Sequence, residues 1–239
     1  YTGTGSTNQI VNGIDLVNDG GLVWIKSTDN VFSNLWFDTL RGAGNYIVSN
    51  NDGNQSFDID TLASFKNNGF EVSSSAQTNN SGTQYVAWTF QKKAKYFDVV
   101  EYTGNGTSQT INYNLGQRAG FIIVKGLDQN DHWFTRPTGT GMNESQSYIN
   151  LDEGNAFSEI STTIWNNTPT TTTGFQVGAD PKTNNNGSRY IAYCFAGYTE
   201  NEIKCGTYTG TGSSLFVETG FKPQWIMAKN VAGTQPSTT

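Results

Sequence analysis

Short runs of aromatic and β-branched residues recur along the whole chain, and clusters of Gly, Asn and Ser separate them. This pattern predicts short β-strands joined by polar turns. Only the stretch 61–66 is predicted to form a short helical turn instead. The strands predicted for the first hundred residues are 22–26, 36–40, 45–48, 70–72, 85–90 and 97–102. Those predicted for the remainder are 121–125, 133–135, 147–151, 175–177, 190–195 and 206–208.

The run YVAWTF at residues 85–90 indicates how such strands are buried. Side chains alternate between the two faces of a strand, so Tyr85 and Ala87 face one side while Trp88 and Phe90 face the other. Because both sides are largely apolar, this strand is predicted to lie between two packed layers. Many strands of this kind without helical periodicity predict an all-β protein made of β-sandwich or jelly-roll domains.

Several sequence landmarks occur more than once and keep their order. The motif Tyr-Thr-Gly begins at Tyr1, Tyr102 and Tyr208. Ordered matches at nearly constant spacing indicate tandem copies of one structural unit. The matching blocks are GLVWIKS (21–27), GFIIVKG (120–126) and PQWIMAK (223–229); LWFDTLRG (35–42) and HWFTRPTG (132–139); GFEVSSSAQTNNSG (69–82) and GFQVGADPKTNNNG (174–187); and QYVAWTF (84–90) and RYIAYCF (189–195). Equivalent residues in this alignment are Lys26, Lys125 and Lys229; Trp36 and Trp133; and Phe37 and Phe134.

These matches divide the chain into two repeats and the start of a third. Repeat 1 comprises residues 1–96 and is expected to lack its N-terminal strand. Repeat 2 comprises residues 97–205, and residues 206–239 are expected to be the truncated start of a third repeat. The chain is therefore expected to be a piece of a longer repeat protein.

Composition and charge exclude some classes of partner. The net charge is −6 and only 14% of the residues are charged. There is no basic stripe, so no nucleic-acid partner is expected, and no run of about 18 apolar residues, so no membrane insertion is expected. Cys194 and Cys205 have no disulfide or metal spacing and are predicted to be free, largely buried thiols.

The residues that could carry catalysis form no recognised constellation. His132 is the one histidine, and no nucleophile motif accompanies it, so it is predicted to be an exposed loop residue. Glycoside hydrolysis requires two carboxylates beside the scissile bond, but surface charges that prevent edge pairing explain the available acids more simply. These acids are Asp58, Asp60, Asp98, Glu101, Asp152 and Glu153. No catalytic residue and no cofactor is predicted, and the protein is expected not to be an enzyme.

The polar loop 50–54, together with Asp58 and Asp60, has the oxygen-rich composition of a calcium site. It lacks the order of ligands that an EF-hand loop requires. Asn and Gly also favour tight turns, because both tolerate left-handed backbone conformations. An Asn-Gly turn is therefore the preferred interpretation, and no metal site is predicted.

The tryptophans raise the hypothesis of carbohydrate binding, because exposed aromatic faces stack on sugar rings. Trp24 and Trp88 lie in the most apolar runs and are predicted to be core residues. The remaining candidates stand in more polar surroundings, although burial in the core is the simpler explanation for them as well. The predicted carbohydrate-binding residues are Trp36, Arg41, Trp133, Arg136 and Trp165.

The motifs WIK at 24–26, FDT at 37–39 and RG at 41–42, followed by YVAWTF, resemble a tandem repeat of large virion proteins from tailed bacteriophages, especially marine phages. The resemblance covers residues 1–205, and 206–239 resemble the start of the next copy. It implies a concanavalin- or laminin-G-like jelly-roll sandwich in each repeat, and it brings no catalytic residues with it. Repeat 2 departs from the motif, because Thr135 replaces Asp38 in the alignment.

Taken with this resemblance, the sequence favours a non-enzymatic structural and adhesive component of a bacteriophage virion, such as a tail fibre or surface appendage. The expected location is the virion, outside the cell. The expected partners are other virion proteins, further copies of the chain in a homo-oligomer and glycans of the host surface. The alternatives are a lectin-like carbohydrate-binding module, a bacterial surface adhesin and, less favoured, a polysaccharide depolymerase.

Overall fold

A computed structural model describes residues 1–137, 143–153, 159–200 and 202–230. Strands dominate these ranges, and the helices described in them are single turns. Repeat 1 contains β1 (Asn8–Val11), β2 (Gly21–Ser27), β3 (Leu35–Asp38), β4 (Asn45–Val48), β5 (Ser56–Phe57), β6 (Leu62–Lys66), β7 (Gly69–Val72), α1 (Ala76–Asn79) and β8 (Tyr85–Gln91). Repeat 2 contains β9 (Phe97–Thr103), β10 (Gln109–Asn112), β11 (Ala119–Gly126), β12 (Phe134–Pro137), β13 (Ser147–Asn150), β14 (Glu159–Ile160), β15 (Gly174–Val177), α2 (Pro181–Asn184), β16 (Arg189–Ala196), β17 (Tyr198–Thr199) and β18 (Ile203–Lys204).

The all-β prediction is confirmed, and most predicted strands are present. The prediction of a helical turn at 61–66 is wrong, because Leu62–Lys66 is strand β6 and pairs with β7. The prediction of a strand at 206–208 is also wrong, since these residues form no strand. Strands β1 and β10 were not predicted, because NQIV and QTIN carry too few apolar residues to stand out from the polar turns around them.

Each repeat consists of a large sheet covered on one face by a small one. In repeat 1 the large sheet has the order β5-β4-β3-β2-β8, and the small sheet has the order β1-β7-β6. In repeat 2 the orders are β14-β13-β12-β11-β16-β9 and β10-β15. All described pairings between these strands are antiparallel. The two repeats thus share a β-sandwich-like architecture.

The space between large and small sheet is filled by the apolar side chains that alternation directs to that face. In repeat 1 this core includes Val23 and Ile25 of β2 together with Phe70 of β7, all fully buried. In repeat 2 the equivalent positions are Ile122 and Val124, which pack with Phe175. Burial of such side chains contributes roughly 1.5–3 kcal/mol each relative to exposure, so these cores account for much of the stability of each sandwich.

The repeated Tyr-Thr-Gly motif fastens the start of each repeat to its last large strand. The Tyr1 ring stacks on Tyr85 with centroids 5.2 Å apart, and the Tyr102 ring stacks on Tyr190 at the same distance. Gly3 leaves no room for a side chain, because an added Cβ would lie 2.1 Å from the backbone oxygen of Asn80. The motif recurs because each sandwich needs the same close backbone contact.

The paired Asn residues of the TNN motifs complete this contact. Asn79 accepts a 2.9 Å hydrogen bond from the backbone N–H of Thr4, and Asn184 accepts one of 2.9 Å from Asn105. Both amide side chains are fully buried and also donate to backbone oxygens, so their burial is compensated by hydrogen bonds. These TNN motifs are therefore structural.

Candidate functional site

The large sheets of the two repeats face each other, and the contact between them is the most aromatic surface of the chain. On β2, Leu22 and Trp24 point toward repeat 2, away from the core of repeat 1. On β16, Ile191 and Tyr193 point toward repeat 1. Strand β8 has Trp88 on this same side, so residues 85–90 pack on both faces of the strand as predicted, with Tyr85 and Phe90 buried and Trp88 only partly buried.

Tryptophan and tyrosine rings meet edge to face across this boundary. The Trp36 ring centroid lies 5.1 Å from that of Trp133 and 5.1 Å from that of Tyr193, with interplanar angles of 67° and 66°. Trp24 packs against Trp36 and Trp88 at 4.9 and 5.0 Å. Edge-to-face pairs add about 0.5–1.5 kcal/mol each beyond area burial, so the two repeats are joined by a specific aromatic contact.

A buried polar network lies within this aromatic surface. Arg41 Nε pairs with Asp38 Oδ2 at 2.5 Å, and Tyr193 of repeat 2 donates to the same oxygen at 2.8 Å. Arg41 Nη2 also donates to the backbone oxygen of Trp36 at 2.9 Å. Asp38 Oδ1 accepts from the backbone N–H groups of Leu40 and Arg41. The FDTLRG motif of repeat 1 therefore contains an internal ion pair, and the hydroxyl of Tyr193 in repeat 2 is hydrogen-bonded to it.

The protonation of this network follows from its burial and charges. Burial alone would lower the pKa of Arg41, but the charge of Asp38 and the hydroxyl of Tyr193 outweigh it and raise the pKa. Burial raises the pKa of Tyr193 well above its ordinary value. Arg41 therefore stays charged and Tyr193 keeps its proton, so these two groups have a structural role in the network.

The loop that follows β4 inserts into repeat 2. Trp133 Nε1 donates to the backbone oxygens of Val48 and Asn51, at 3.2 and 3.1 Å. Lys125 Nζ donates to the backbone oxygen of Asp52 at 3.2 Å and to that of Gly126 at 3.1 Å. The loop predicted as an Asn-Gly turn thus has a second role, because it supplies the carbonyls that hold repeat 2.

The Lys125 ammonium contacts the oxygen-rich loop whose composition resembles a calcium site. Burial lowers the pKa of Lys125 to about 8, although the charges of Asp131, Asp152 and Asp52 oppose this shift. Within the described residues, no three His, Cys, Asp or Glu side chains are grouped so that they could hold a metal ion. The backbone oxygen of Asp52 therefore accepts a hydrogen bond from a lysine of the neighbouring repeat.

His132 lies beside this loop and binds two acidic side chains. Its Nδ1 is 2.9 Å from Asp152 Oδ2, and its Nε2 is 3.2 Å from Glu153 Oε1. Burial alone would lower the pKa of His132, but the hydrogen bond and charge of Asp152 and the charges of Glu153 and Asp131 raise it. His132 lies in a loop, as predicted, but it is half-buried and not exposed, because its ring contacts Asp152 and Glu153.

A polar groove of about 370 Å³ runs along the outside of β9, beside Leu40 of repeat 1. Asp98 and Glu101 both line it. Asp98 is buried, pairs with Lys92 at 3.0 Å and accepts from the backbone N–H of Asn114 at 2.7 Å. Its oxygens are occupied by structural partners, which indicates a role in fixing β9 rather than in proton transfer.

The two repeats differ in register at the strand that carries the WF motif. Ile25 pairs with Leu35 in repeat 1, whereas the equivalent Val124 pairs with Phe134 in repeat 2. The alignment of Trp36 with Trp133 and of Phe37 with Phe134 is therefore wrong by two residues. Structurally, Thr135 takes the place of Trp36 and Arg136 that of Phe37.

This shift places a cation in the interior of repeat 2. Arg136 is fully buried, with its guanidinium carbon 5.3 Å from the centroid of the Trp165 ring, and it donates to the backbone oxygen of Thr168. Burial lowers the pKa of Arg136 to about 10. Trp165 Nε1 donates to the backbone oxygen of Ser147 at 3.0 Å. Both side chains are thus core residues of repeat 2.

The prediction of a surface location for the carbohydrate-binding candidates is wrong. Trp36 is 1% exposed, Arg41 9%, and Trp133, Arg136 and Trp165 are 0% exposed. Their rings and guanidinium groups pack between repeats or between sheets, so no ring face is open for stacking on a sugar. The simpler explanation, burial in the core, holds for all five.

The remaining predicted positions are also accounted for by structure. Asp58 accepts from the backbone N–H of Asp60 at 3.0 Å, which forms a local turn before β6. Both cysteines are free, with Cys194 buried and Cys205 partly buried. Burial raises the pKa of both thiols, that of Cys205 to about 11. Neither described helix is long and apolar enough to cross a membrane.

Asp38, Arg41, Tyr193 and Lys125 were not predicted to form an interface. The sequence signals were present, since FDTLRG and the aligned lysines are landmarks, but the partners in the other repeat are distant in sequence, 73 residues for Lys125 and Asp52 and 155 for Asp38 and Tyr193. What could have suggested the interface is the aromatic content of both faces of residues 85–90 and 190–195, which exceeds what one core requires.

These features define an all-β protein of two sandwich-like repeats joined face to face. The chain belongs to the family of the Domain of unknown function DUF7483, whose model matches residues 1–237. No curated protein and no solved structure matches the chain.

Proposed function

We propose that the protein is a non-enzymatic structural and adhesive component of a bacteriophage virion, as part of a tail fibre or surface appendage. The observation that supports this proposal best is the interface between the repeats. It uses the aromatic and charged side chains that would otherwise be candidates for ligand binding, and Asp38, Arg41 and Tyr193 become a rigid connection. Such a joint suits a load-bearing appendage better than a site that must open for a substrate.

The surface composition agrees with this role. Only 14% of the residues are charged, and Asn, Thr and Ser provide most of the polar surface. A surface of this kind depends little on charge for its solubility, so it tolerates high salt, where charge interactions are screened within a few ångström. The jelly-roll topology implied by the resemblance and the homo-oligomeric state belong to the same proposal.

The proposed contact with host glycans must use exposed loops, because the five predicted residues are buried. The polar groove beside β9, with Lys92 and Glu101 at its rim, is one such surface. Hydroxyl groups of a sugar are bound by side chains of this type, so the groove is the position at which substitutions should be tested.

Antibodies against the purified chain test the virion assignment. They are expected to label tail fibres or surface appendages of tailed phages concentrated from seawater, as seen by immunogold electron microscopy. Preimmune serum is the control. Labelling of bacterial surfaces without labelling of phage particles would favour a bacterial adhesin and contradict the proposal.

Mixing the purified protein with surface polysaccharides tests its adhesive and non-enzymatic character. The protein is expected to be retained on a polysaccharide from its host, and gel filtration should show that the polysaccharide keeps its length. Glu101→Gln should weaken retention, while Glu218→Gln, an exposed change elsewhere, should leave it unchanged. Shortening of the polysaccharide would identify a depolymerase and overturn the proposal.

A further inference from the structure

Two lysines at equivalent positions bind the repeat that precedes them in the chain. Lys125 of repeat 2 donates to the backbone oxygen of Asp52 in repeat 1. Lys229, in the segment after repeat 2, donates to the backbone oxygen of Glu153 in repeat 2. The same type of contact thus links repeat 1 to repeat 2 and repeat 2 to the segment 206–230.

The two acceptor carbonyls lie in equivalent loops. Ile47 of β4 and Ile149 of β13 are equivalent, because each pairs with the same position of the neighbouring strand. Asp52 is five residues beyond Ile47, and Glu153 is four residues beyond Ile149. The acceptors are therefore neighbouring positions of one loop, which makes a coincidental contact a poor explanation.

The contact runs in one direction only. Lys26 of repeat 1 does not bind repeat 2; it donates to the backbone oxygens of Asn30 and Phe32 in its own repeat, at 3.2 and 2.6 Å. Donor and acceptor surfaces are therefore different, which is a heterologous relation. Repeated application of a heterologous relation gives either a closed ring or an open helix.

The position of Trp225 distinguishes these two outcomes. Its ring lies 6.2 Å from Trp24 and 5.4 Å from Phe90 of repeat 1, and 6.5 Å from Phe195 of repeat 2. Phe90 and Phe195 are equivalent residues and touch each other at 5.4 Å. The segment after repeat 2 therefore returns to repeat 1 at a common axis, as a ring requires, and does not lead away from it.

In the segment 206–230, the side that carries Ile226 corresponds to the face that the small sheet covers in repeats 1 and 2. Ile226 is 74% exposed, whereas its counterparts Val23 and Ile122 are fully buried under the small sheets. On repeat 1, Trp88 is only partly buried, whereas its counterpart Tyr193 is completely buried by repeat 1. Ile226 and Trp88 are thus more exposed than their counterparts, and a third repeat that closed a ring with repeats 1 and 2 would cover both side chains.

We propose that repeats of this kind close in groups of three around Trp225. The docking surface consists of Ile226 on the segment and of Trp88 and Lys26 on repeat 1. Its occupant is a complete third repeat of the same fold, whose equivalent of Trp36 would cover Trp88 and whose post-β4 loop would receive Lys26. This inference rests on the geometry of the repeats and does not require a role in a virion.

The first test uses the chain as it is. Lys229→Met and Trp225→Ala are expected to increase the rate at which thermolysin cleaves within residues 221–229 about tenfold, because a charged hydrogen bond or an aromatic contact that holds the segment is lost. Lys222→Met is the matched control, since this lysine is exposed in the same segment. If Lys229→Met is cleaved at the same rate as Lys222→Met, the lysine contact does not hold the segment and the proposal is wrong.

The second test completes the third repeat by attaching residues 126–205, the counterpart from repeat 2, after residue 229. Small-angle X-ray scattering should show a compact particle, and acrylamide should quench Trp88 less than in the shorter chain, with Trp88→Phe used to isolate its signal. An extended particle, or an unprotected Trp88, would overturn the ring. If the added repeat fails to fold, the Lys229 comparison still decides whether the contact exists.

Discussion

The hydroxyl of Tyr193 donates a 2.8 Å hydrogen bond to the carboxylate of Asp38, across the boundary between the two repeats. Both residues are fully buried, and the same carboxylate is paired with Arg41. Buried charges are tolerated only with such partners. The two sandwiches are therefore energetically dependent on each other, and they should unfold as one cooperative unit.

Removing only the Tyr193 hydroxyl tests this dependence. Tyr193→Phe keeps the ring contacts but leaves Asp38 without one partner, so the free energy of unfolding should fall by about 1–3 kcal/mol. Urea denaturation followed by tryptophan fluorescence measures this change. Tyr198→Phe is the control, because Tyr198 is exposed and its loss should matter by less than about 0.5 kcal/mol. Equal effects of both variants would contradict the assigned role.

The ion pair itself should behave non-additively. Asp38→Asn leaves Arg41 buried without its counter-charge and should cost about 3–5 kcal/mol of unfolding free energy. Combining it with Arg41→Met removes both charges, so the double variant should be more stable than the sum of the single changes predicts. A double-mutant cycle from urea denaturation provides the coupling. Simple additivity would show that the pair is not the stabilising feature.

Most of the strands could be predicted from the sequence, because strand formation depends on local patterns of apolar and polar residues. Apolar alternation identified β2, β8, β11 and β16. The register of β12 could not be predicted in this way. The identical letters WF align Trp36 with Trp133, but strand pairing is decided by contacts across the sheet, which here place the pairing two residues further along the chain.

The burial of the candidate site residues could not be predicted from local sequence patterns either. Trp36 and Trp133 stand in polar surroundings in the sequence, yet both are buried because a second repeat covers them. Composition shows that a side chain is apolar but not which surface covers it. Arg136 is the clearest example, since an arginine in a short strand is normally exposed, whereas here it is fully buried at the strand position that Phe37 occupies in repeat 1.

The two carbonyls that bind the Trp133 indole should determine how firmly the loop after β4 is held. Trp133→Phe removes the donor to Val48 and Asn51, so amide hydrogen exchange in residues 48–55 should accelerate about tenfold. Trp165→Phe is the matched control, because that indole binds Ser147 within repeat 2. Accelerated exchange of this loop in both variants would indicate general destabilisation and not loss of a specific contact.

His132 should make the stability of the protein fall as the pH rises above about 6.5, the ordinary pKa of histidine. Its folded pKa is raised by Asp152 and Glu153, so its stabilising contribution is complete below the unfolded pKa and is lost as the pH rises through the folded pKa. His132→Gln should remove this component. Thermal unfolding from pH 5.5 to 8.5 measures it, and the chain has no other histidine to obscure the comparison. Parallel curves for both proteins would exclude these ion pairs as a source of stability.

Lys125 should contribute a pH dependence of the opposite sign at higher pH. Its folded pKa is about 8, below the ordinary lysine value of 10.5 that applies in the unfolded chain, so the folded state binds this proton less tightly than the unfolded state does. Folding therefore carries a penalty below about pH 8, and the penalty disappears as the pH rises toward 10.5. Lys125→Met should lack this gain in stability.

Urea denaturation at pH 7.5, 8.5 and 9.5 measures the difference between wild type and Lys125→Met. The wild type should gain about 1–3 kcal/mol relative to the variant across this range, while Lys222→Met, an exposed change, should follow the wild type. Tyrosine ionisation affects all three proteins alike and cancels in the differences. A constant difference between wild type and Lys125→Met would mean that the ammonium stays protonated against Asp52, and that burial does not lower its pKa.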